Sequence, residues 1–254
     1  MPRSDWRSPA AYAYVSDLDP SGLAWEFLRR NPEYRLEYRA VSEESQSNDQ
    51  AEAFARRWGM RFCVAPDIPA NKAAPIWLPR INPASVLIAP APSAFAGARR
   101  VDPSSAAYER AADDGRYLLI DDGRSRIPVV LLAGSTRKTP AAALVPLDDD
   151  FVVRLEAALR LWQCLSGLGA TESKRLTPQR RERLAFTLRA LDARLANERY
   201  RAIAQGLFGE ARVPSAAHWK THDLRARTIR LVRSGLDLMR GGYIRLLSGR
   251  HRRR

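Results

Sequence analysis

At Asp148 the hydrophobic period of this chain changes from short extended runs between breakers to helical stripes, and the charge changes with it. Residues 1–150 carry 19 Lys and Arg against 20 Asp and Glu, whereas 151–254 carry 23 against 8, so a net of −1 is followed by a net of +15. A split this sharp predicts two domains, 1–147 and 148–254. It also predicts a polyanionic partner for the second, because neutralising phosphates releases counterions and rewards clustered rather than scattered arginine. The predicted fold class is α+β: an N-terminal mixed domain of short helices with a small antiparallel sheet, then an all-α, helix-turn-helix-like C-terminal domain.

In the first half, an aromatic-dense stretch (Tyr12, Tyr14, Trp25, Phe27, Tyr34, Tyr38) holds a predicted helix at Ser21–Arg30 that Asn31-Pro32 ends, since proline disfavours helical geometry at the residue before it. A second short helix is predicted at Asp49–Trp58, closed by Gly59. Extended runs follow at Arg61–Ala65, Ile76–Pro79, Val86–Ala89, Tyr117–Ile120, Ile127–Ala133 and Ala143–Leu147, with Asp122-Gly123 as a hairpin signal. The interval 66–103 holds 8 of the 17 prolines and reads as loop with short edge strands.

The second half opens with Asp148-Asp149-Asp150 ahead of a stripe of Phe151, Leu155, Ala158, Leu159, Trp162 and Leu165. Carboxylates there are expected to cap a helix N-terminus and oppose its dipole rather than hold a metal. Thr177-Pro178 is a helix start, and Leu184, Leu188, Leu191 and Leu195 repeat behind it at helical spacing. Asn197 is expected to cap a second helix with apolar positions Tyr200, Ile203, Ala204, Leu207 and Phe208, stopped by Gly209. After a connection at 210–220, Thr221 is expected to cap a third. At about 100° per residue, Leu224, Thr228, Leu231, Val232, Gly235, Leu236 and Met239 share one side, and Arg227, Arg230 and Arg233 fan over roughly 120° opposite. That is the layout a recognition helix needs: an apolar side docked on its neighbours and guanidinium groups free for guanine edges or phosphates. The predicted DNA-binding residues are Lys220, Arg225, Arg227, Arg230 and Arg233, with Arg250, Arg252 and Arg253 of the terminal basic run tracking phosphate. The connection exceeds the 3–4 residues of a simple helix-turn-helix turn.

Enzyme signatures do not survive inspection. The stretch Gly134–Thr139 lacks the glycines of a phosphate-binding loop, because Leu132 and Arg137 stand where they are required. His218 and His222 are four apart, but the one other histidine lies in the tail, too few for a zinc site. Asp113-Asp114 and Asp121-Asp122 keep company with glycine and arginine and read as turn residues. Cys63 and Cys164 lack ligand spacing and are expected to be reduced thiols. No cofactor, no metal and no catalytic residue is expected. No leader-like segment and no run of 18 uncharged apolar residues occurs, so a cytoplasmic, nucleoid-associated protein without membrane contact is expected.

Several strings resemble a family of alpha-proteobacterial transcriptional-regulator-like proteins of integrative and conjugative elements: Asp5-Trp6-Arg7, the run Ala24–Tyr34, Tyr200–Ala204 with Leu207-Phe208-Gly209, Trp219-Lys220, Leu224–Val232 and Leu238–Tyr243. The resemblance implies a regulator-like N-terminal domain fused to a helix-turn-helix-type domain formerly of unknown function. It further implies activation of excision or transfer genes, and antagonism by short relatives made of the C-terminal module alone. The expected partner is double-stranded DNA, with RNA polymerase, a small antagonist protein or a second copy of the chain as further candidates. Two other readings stay open on the residues: an adaptor docking an acidic protein surface, and a DNA-processing accessory or nuclease using Asp121 and Asp122.

Overall fold

The computed structural model of the chain describes residues 5–43, 48–168 and 176–248. In chain order the elements are α1 (Pro20–Leu28), α2 (Pro32–Glu43), α3 (Asn48–Arg57), β1 (Val86–Pro90), β2 (Tyr108–Ala112), β3 (Gly115–Asp121), β4 (Arg126–Leu131), β5 (Ala141–Leu144), α4 (Phe151–Leu165), α5 (Pro178–Leu195), α6 (Tyr200–Phe208), α7 (Asp223–Asp237) and α8 (Ile244–Ser248). The fold is α+β. Its packing differs from a linear division at 147/148. One unit gathers the described residues of Met1–Ala40, Ala65–Ala73 and Lys174–Leu246, and the other those of Val41–Val64, Ala74–Ser173 and Leu247–Arg254.

The second unit is built on a five-stranded sheet of order β2-β3-β4-β1-β5. It is mixed rather than antiparallel as expected, because β1 pairs with β4 in parallel while the other neighbours run antiparallel. Tyr117, Leu118, Leu119 and Ile120 are all buried, so both faces of β3 are covered. Leu118, Ile120, Ile127, Val129 and Leu131 face α4 through Leu161, and Tyr117, Leu119 and Val130 pack with Phe62 and Ile76. The runs expected as strands at 61–65 and 76–79 form none of the strands described; Trp77 bridges to Met60, just ahead of the first run, and proline at 66, 75 and 79 bounds them. The Asp122-Gly123 turn does join β3 to β4. Asp113-Asp114 forms the two-residue turn between β2 and β3, and both carboxylates hold the nearly buried Arg61 side chain, which Glu52 also meets at 3.0 Å.

Helix α4 uses only part of its predicted stripe for packing. It lies on the sheet through Leu161 with Ala157, Ala158, Cys164 and Leu165 beside it, whereas Leu155, Leu159 and Trp162 of the predicted stripe are exposed, together with Val152. The helix has two apolar sides, parted by Glu156, Arg160 and Gln163 on one flank, and the side with two alanines is the one that can approach a sheet closely. Asp150 stands at its N-cap without a side-chain capping bond, and the Asp148 carboxylate instead takes the Arg154 guanidinium at 2.8 and 3.1 Å.

In the first unit, α5 begins as expected, with the Thr177 hydroxyl accepting the Arg180 amide at 3.2 Å and Pro178 in the first turn. Asn197 ends α5 instead of starting α6. It adopts φ +63°, and the Asn197 and Glu198 amides return to the Arg194 and Ala193 carbonyls in a Schellman closure. Leu184, Leu188 and Leu191 are buried, with Ile203 and Ala204 of α6 and Leu231 and Val232 of α7. Gly235 sets the α5–α7 approach: a Cβ there would stand 2.9 Å from Leu191 Cβ and 3.1 Å from the Thr187 carbonyl oxygen.

The N-terminal segment belongs to this same unit. Asn31 both closes α1 and starts α2, its Oδ1 accepting the Glu33 amide at 2.8 Å while its Nδ2 donates to the Met239 carbonyl at 3.1 Å. Arg30 grips Asp192 of α5 through two bonds of 2.7 and 2.8 Å and meets Glu26 at 2.5 Å. Burial and the Asp192 carboxylate push the Tyr12 hydroxyl well above its ordinary pKa, which keeps it a donor to Asp192 at 2.5 Å. Arg189 of α5 donates to the carbonyls of Trp6, Arg7 and Gly206, and the Trp6 ring fills the space that the missing Cβ of Gly206 leaves.

Candidate nucleic-acid interface

The face of α7 that packs inward is Leu224, Thr228, Leu231, Val232 and Gly235, as its periodicity predicts. Thr228 is fully buried, and its hydroxyl donates to the Leu224 carbonyl at 2.7 Å, so the polar group does not hinder docking. At the head of the helix, His222 rather than Thr221 is the cap, its Nδ1 accepting the Leu224 amide at 3.2 Å. Ala204 of α6, Val213 of the connection and Leu224 form a buried cluster edged by Phe208 and Trp219. A small residue at 204 is therefore what lets α6 meet the start of α7.

The connection Gly209–His222 is an ordered elaboration rather than a tight turn. It carries 3₁₀ turns at Glu210–Arg212 and Trp219–Thr221, and Arg201 of α6 donates to the Pro214 carbonyl at 3.2 Å. His218 Nδ1 lies 3.1 Å from the Ser215 hydroxyl. The two histidines thus shape this loop and the helix start that follows it. Among the described residues, no group of three or more His, Cys, Asp or Glu is placed to hold a metal.

Lys220, Arg225, Arg227, Arg230 and Arg233 are all exposed. Two carboxylates on α7 stand at its ends: Asp223 in the first turn, next to the cap His222, and Asp237, which pairs with Arg245. The arginine fan is thus neither buried nor capped by acid from its own helix. Arg250, Arg252 and Arg253 lie outside the described residues. Not every arginine behind the +15 faces outward. Arg154, Arg181 and Arg189 hold carboxylates or carbonyls within the fold, and Arg160 holds Asp122.

That last pair removes the nuclease geometry. One oxygen of Asp122 takes the Arg124 and Ser125 amides at 3.0 and 2.9 Å, and the other takes Arg160. Burial by itself would raise this carboxyl, but the Ser125 amide and the Arg160 guanidinium outweigh it and hold it below the ordinary value. Asp121 accepts the Gly123 amide at 2.8 Å, so both carboxylates are turn formers.

Sequence reasoning missed Arg183. This exposed side chain of α5 lines a groove of about 410 Å³ together with Gln179, Glu182, Phe186, Arg227, Arg230 and Leu231. The leucine repeat identified the inward face of α5 but not which α5 side chains lie beside α7, and that depends on the crossing of the two helices.

α7 thus presents an arginine face on one side while its other side packs on α5 and α6. Residues 144–248 match the family described as "T6SS, Transcription factor, DNA binding domain". Residues 5–63 match the "Proteobacterial transcriptional regulator-like domain". A search of curated proteins found no match. The two matched domains are those of a DNA-binding transcriptional regulator, not of an enzyme. No helix among the described residues is long and apolar enough to cross a membrane.

Proposed function

We propose that α7 enters the major groove of an operator, with Arg225, Arg227, Arg230 and Arg233 meeting base edges and phosphates, and Lys220, Arg250, Arg252 and Arg253 meeting the backbone. The single observation that carries this reading is the exposed fan on α7, opposite a face fully committed to packing. The resemblance supports the finer reading: a cytoplasmic, nucleoid-associated activator of excision or transfer genes of a mobile element, whose regulator-like part, 1–147, contacts polymerase, a second copy or a small antagonist. The basic part, 148–254, supplies the DNA contacts.

Sequencing DNA fragments that co-purify with the full chain, followed by titration of the enriched site, tests the reading. Arg230→Ala and Arg233→Ala each cost about 1–3 kcal/mol where they touch base edges. Operator affinity unchanged in both variants rejects α7 as the reading helix. Enrichment of no site at low salt rejects sequence-specific DNA binding altogether.

A further inference from the structure

The α5–α7 groove divides the arginine fan by role. Phe208 of α6 stacks on Phe186 of α5 with ring centroids 6.0 Å apart and planes at 20°, and the Arg227 guanidinium lies 4.8 Å over the Phe208 ring. A guanidinium held over an aromatic face keeps its N–H edge in a fixed direction, unlike one on a freely rotating stem. Arg183 and Arg230 line the same groove, so three guanidinium groups stand against the one carboxylate of Glu182, a net of two positive charges. Gln179 also lies in the first turn of an 18-residue helix, at the positive end of its dipole.

We infer that this groove seats a backbone phosphate of the bound duplex, clasped between Arg183 of α5 and Arg227 of α7. The inference rests on the DNA reading above and refines it. A phosphodiester offers two free oxygens at one point, which suits two guanidinium groups converging from different helices. A base edge is reached by an arm projecting from the helix front. Arg233, two helical steps of three residues beyond Arg227 and so about 9 Å further along the axis, does not line the groove and is left for that task. Arg227 therefore fixes register, Arg230 stands at the lip of the groove, and Arg233 discriminates.

Full-length wild type, Arg183→Ala, Arg183→Lys, Arg227→Ala and Arg233→Ala are titrated against the enriched fragment and an unrelated duplex between 50 and 200 mM salt. Arg183→Ala and Arg227→Ala are each expected to weaken both duplexes alike and to lower the log–log salt slope by about 0.9. The gap to wild type then narrows by about 3.5-fold over that range. Arg183→Lys keeps the slope. Arg233→Ala is expected to lose preference for the enriched fragment. Thermal melting confirms that each variant is folded. If Arg183→Ala leaves affinity and slope unchanged while Arg233→Ala still binds poorly, the phosphate seat is overturned and the DNA reading stands. A change of sequence preference in Arg183→Ala, with the slope intact, also overturns it. If no variant differs from wild type on either duplex, the DNA reading falls as well.

Discussion

Replacing Glu26 by Gln tests how the N-terminal segment supports α5 and, through it, α7. The Glu26 side chain is fully buried, with Oε2 taking Arg29 at 2.8 Å and Arg30 at 2.5 Å while Oε1 accepts the Ala70 amide at 2.8 Å. Removing one partner of a buried ion pair costs about 3–5 kcal/mol. Arg30 keeps both contacts to Asp192, so the expected loss lies at the lower end, about 3 kcal/mol against a total stability of about 5–15. Burial by itself would raise the Glu26 carboxyl, but the Arg30 and Arg29 guanidinium groups and the Ala70 amide outweigh it and hold it below the ordinary range. A carboxyl lowered by folding stabilises the protein above its unfolded value, about 4.3, and that contribution is lost as pH falls through the folded value. Urea unfolding of wild type and Glu26→Gln is thus expected to differ most at neutral pH and to converge on acidification. A difference below about 1 kcal/mol at pH 7, or one that grows as pH falls, refutes the argument.

Two glycines give further outcomes. Gly235→Ala sets a methyl against Leu191 Cβ and the Thr187 carbonyl and is expected to cost about 1–3 kcal/mol in urea unfolding despite alanine's better helix propensity, with weaker operator binding as α7 is pushed off α5. Gly206→Ala drives its methyl into Trp6 Cζ3 and Cη2, so the indole is expected to leave its site. A red-shifted fluorescence component then appears, and it is absent when the same change is made in a Trp6→Phe background.

What was legible in the sequence is what a single helix or turn decides for itself. The Thr177-Pro178 start, the inward face of α7 and the Asp122-Gly123 turn each follow from residues a few positions apart, and all three are present. The missed strand β2 has Glu109, Arg110 and Ala111 exposed in succession, so it lacks the alternation that marks a half-buried strand. On α4 the periodicity fitted two faces, and only the sheet could choose between them. Asn31-Pro32 shows a subtler loss: the proline that ends α1 is also a first-turn residue of α2, so one signal served as both stop and start. For the site, the α7 fan was visible, whereas Arg183 required knowing how α5 crosses α7.

The string Trp25–Tyr34, which carried much of the family resemblance, acts in the fold as a docking device rather than as an exposed contact. Trp25 is buried and donates to the Ile68 carbonyl, Arg30 holds Asp192, and Asn31 holds the Met239 carbonyl in the turn that follows α7. Each bond to the C-terminal helices joins residues at least 160 positions apart, beyond the reach of any local pattern. Charge and periodicity divide this chain at Asp148, but they report solvent and local backbone preference, not which surfaces meet. The arginines of α7 are aimed by α5, and α5 is held by Tyr12, Arg30 and the carbonyls of Trp6 and Arg7. In this chain the N-terminal segment is therefore part of the structure that presents α7, and a partner that displaced it would act on α7 through α5.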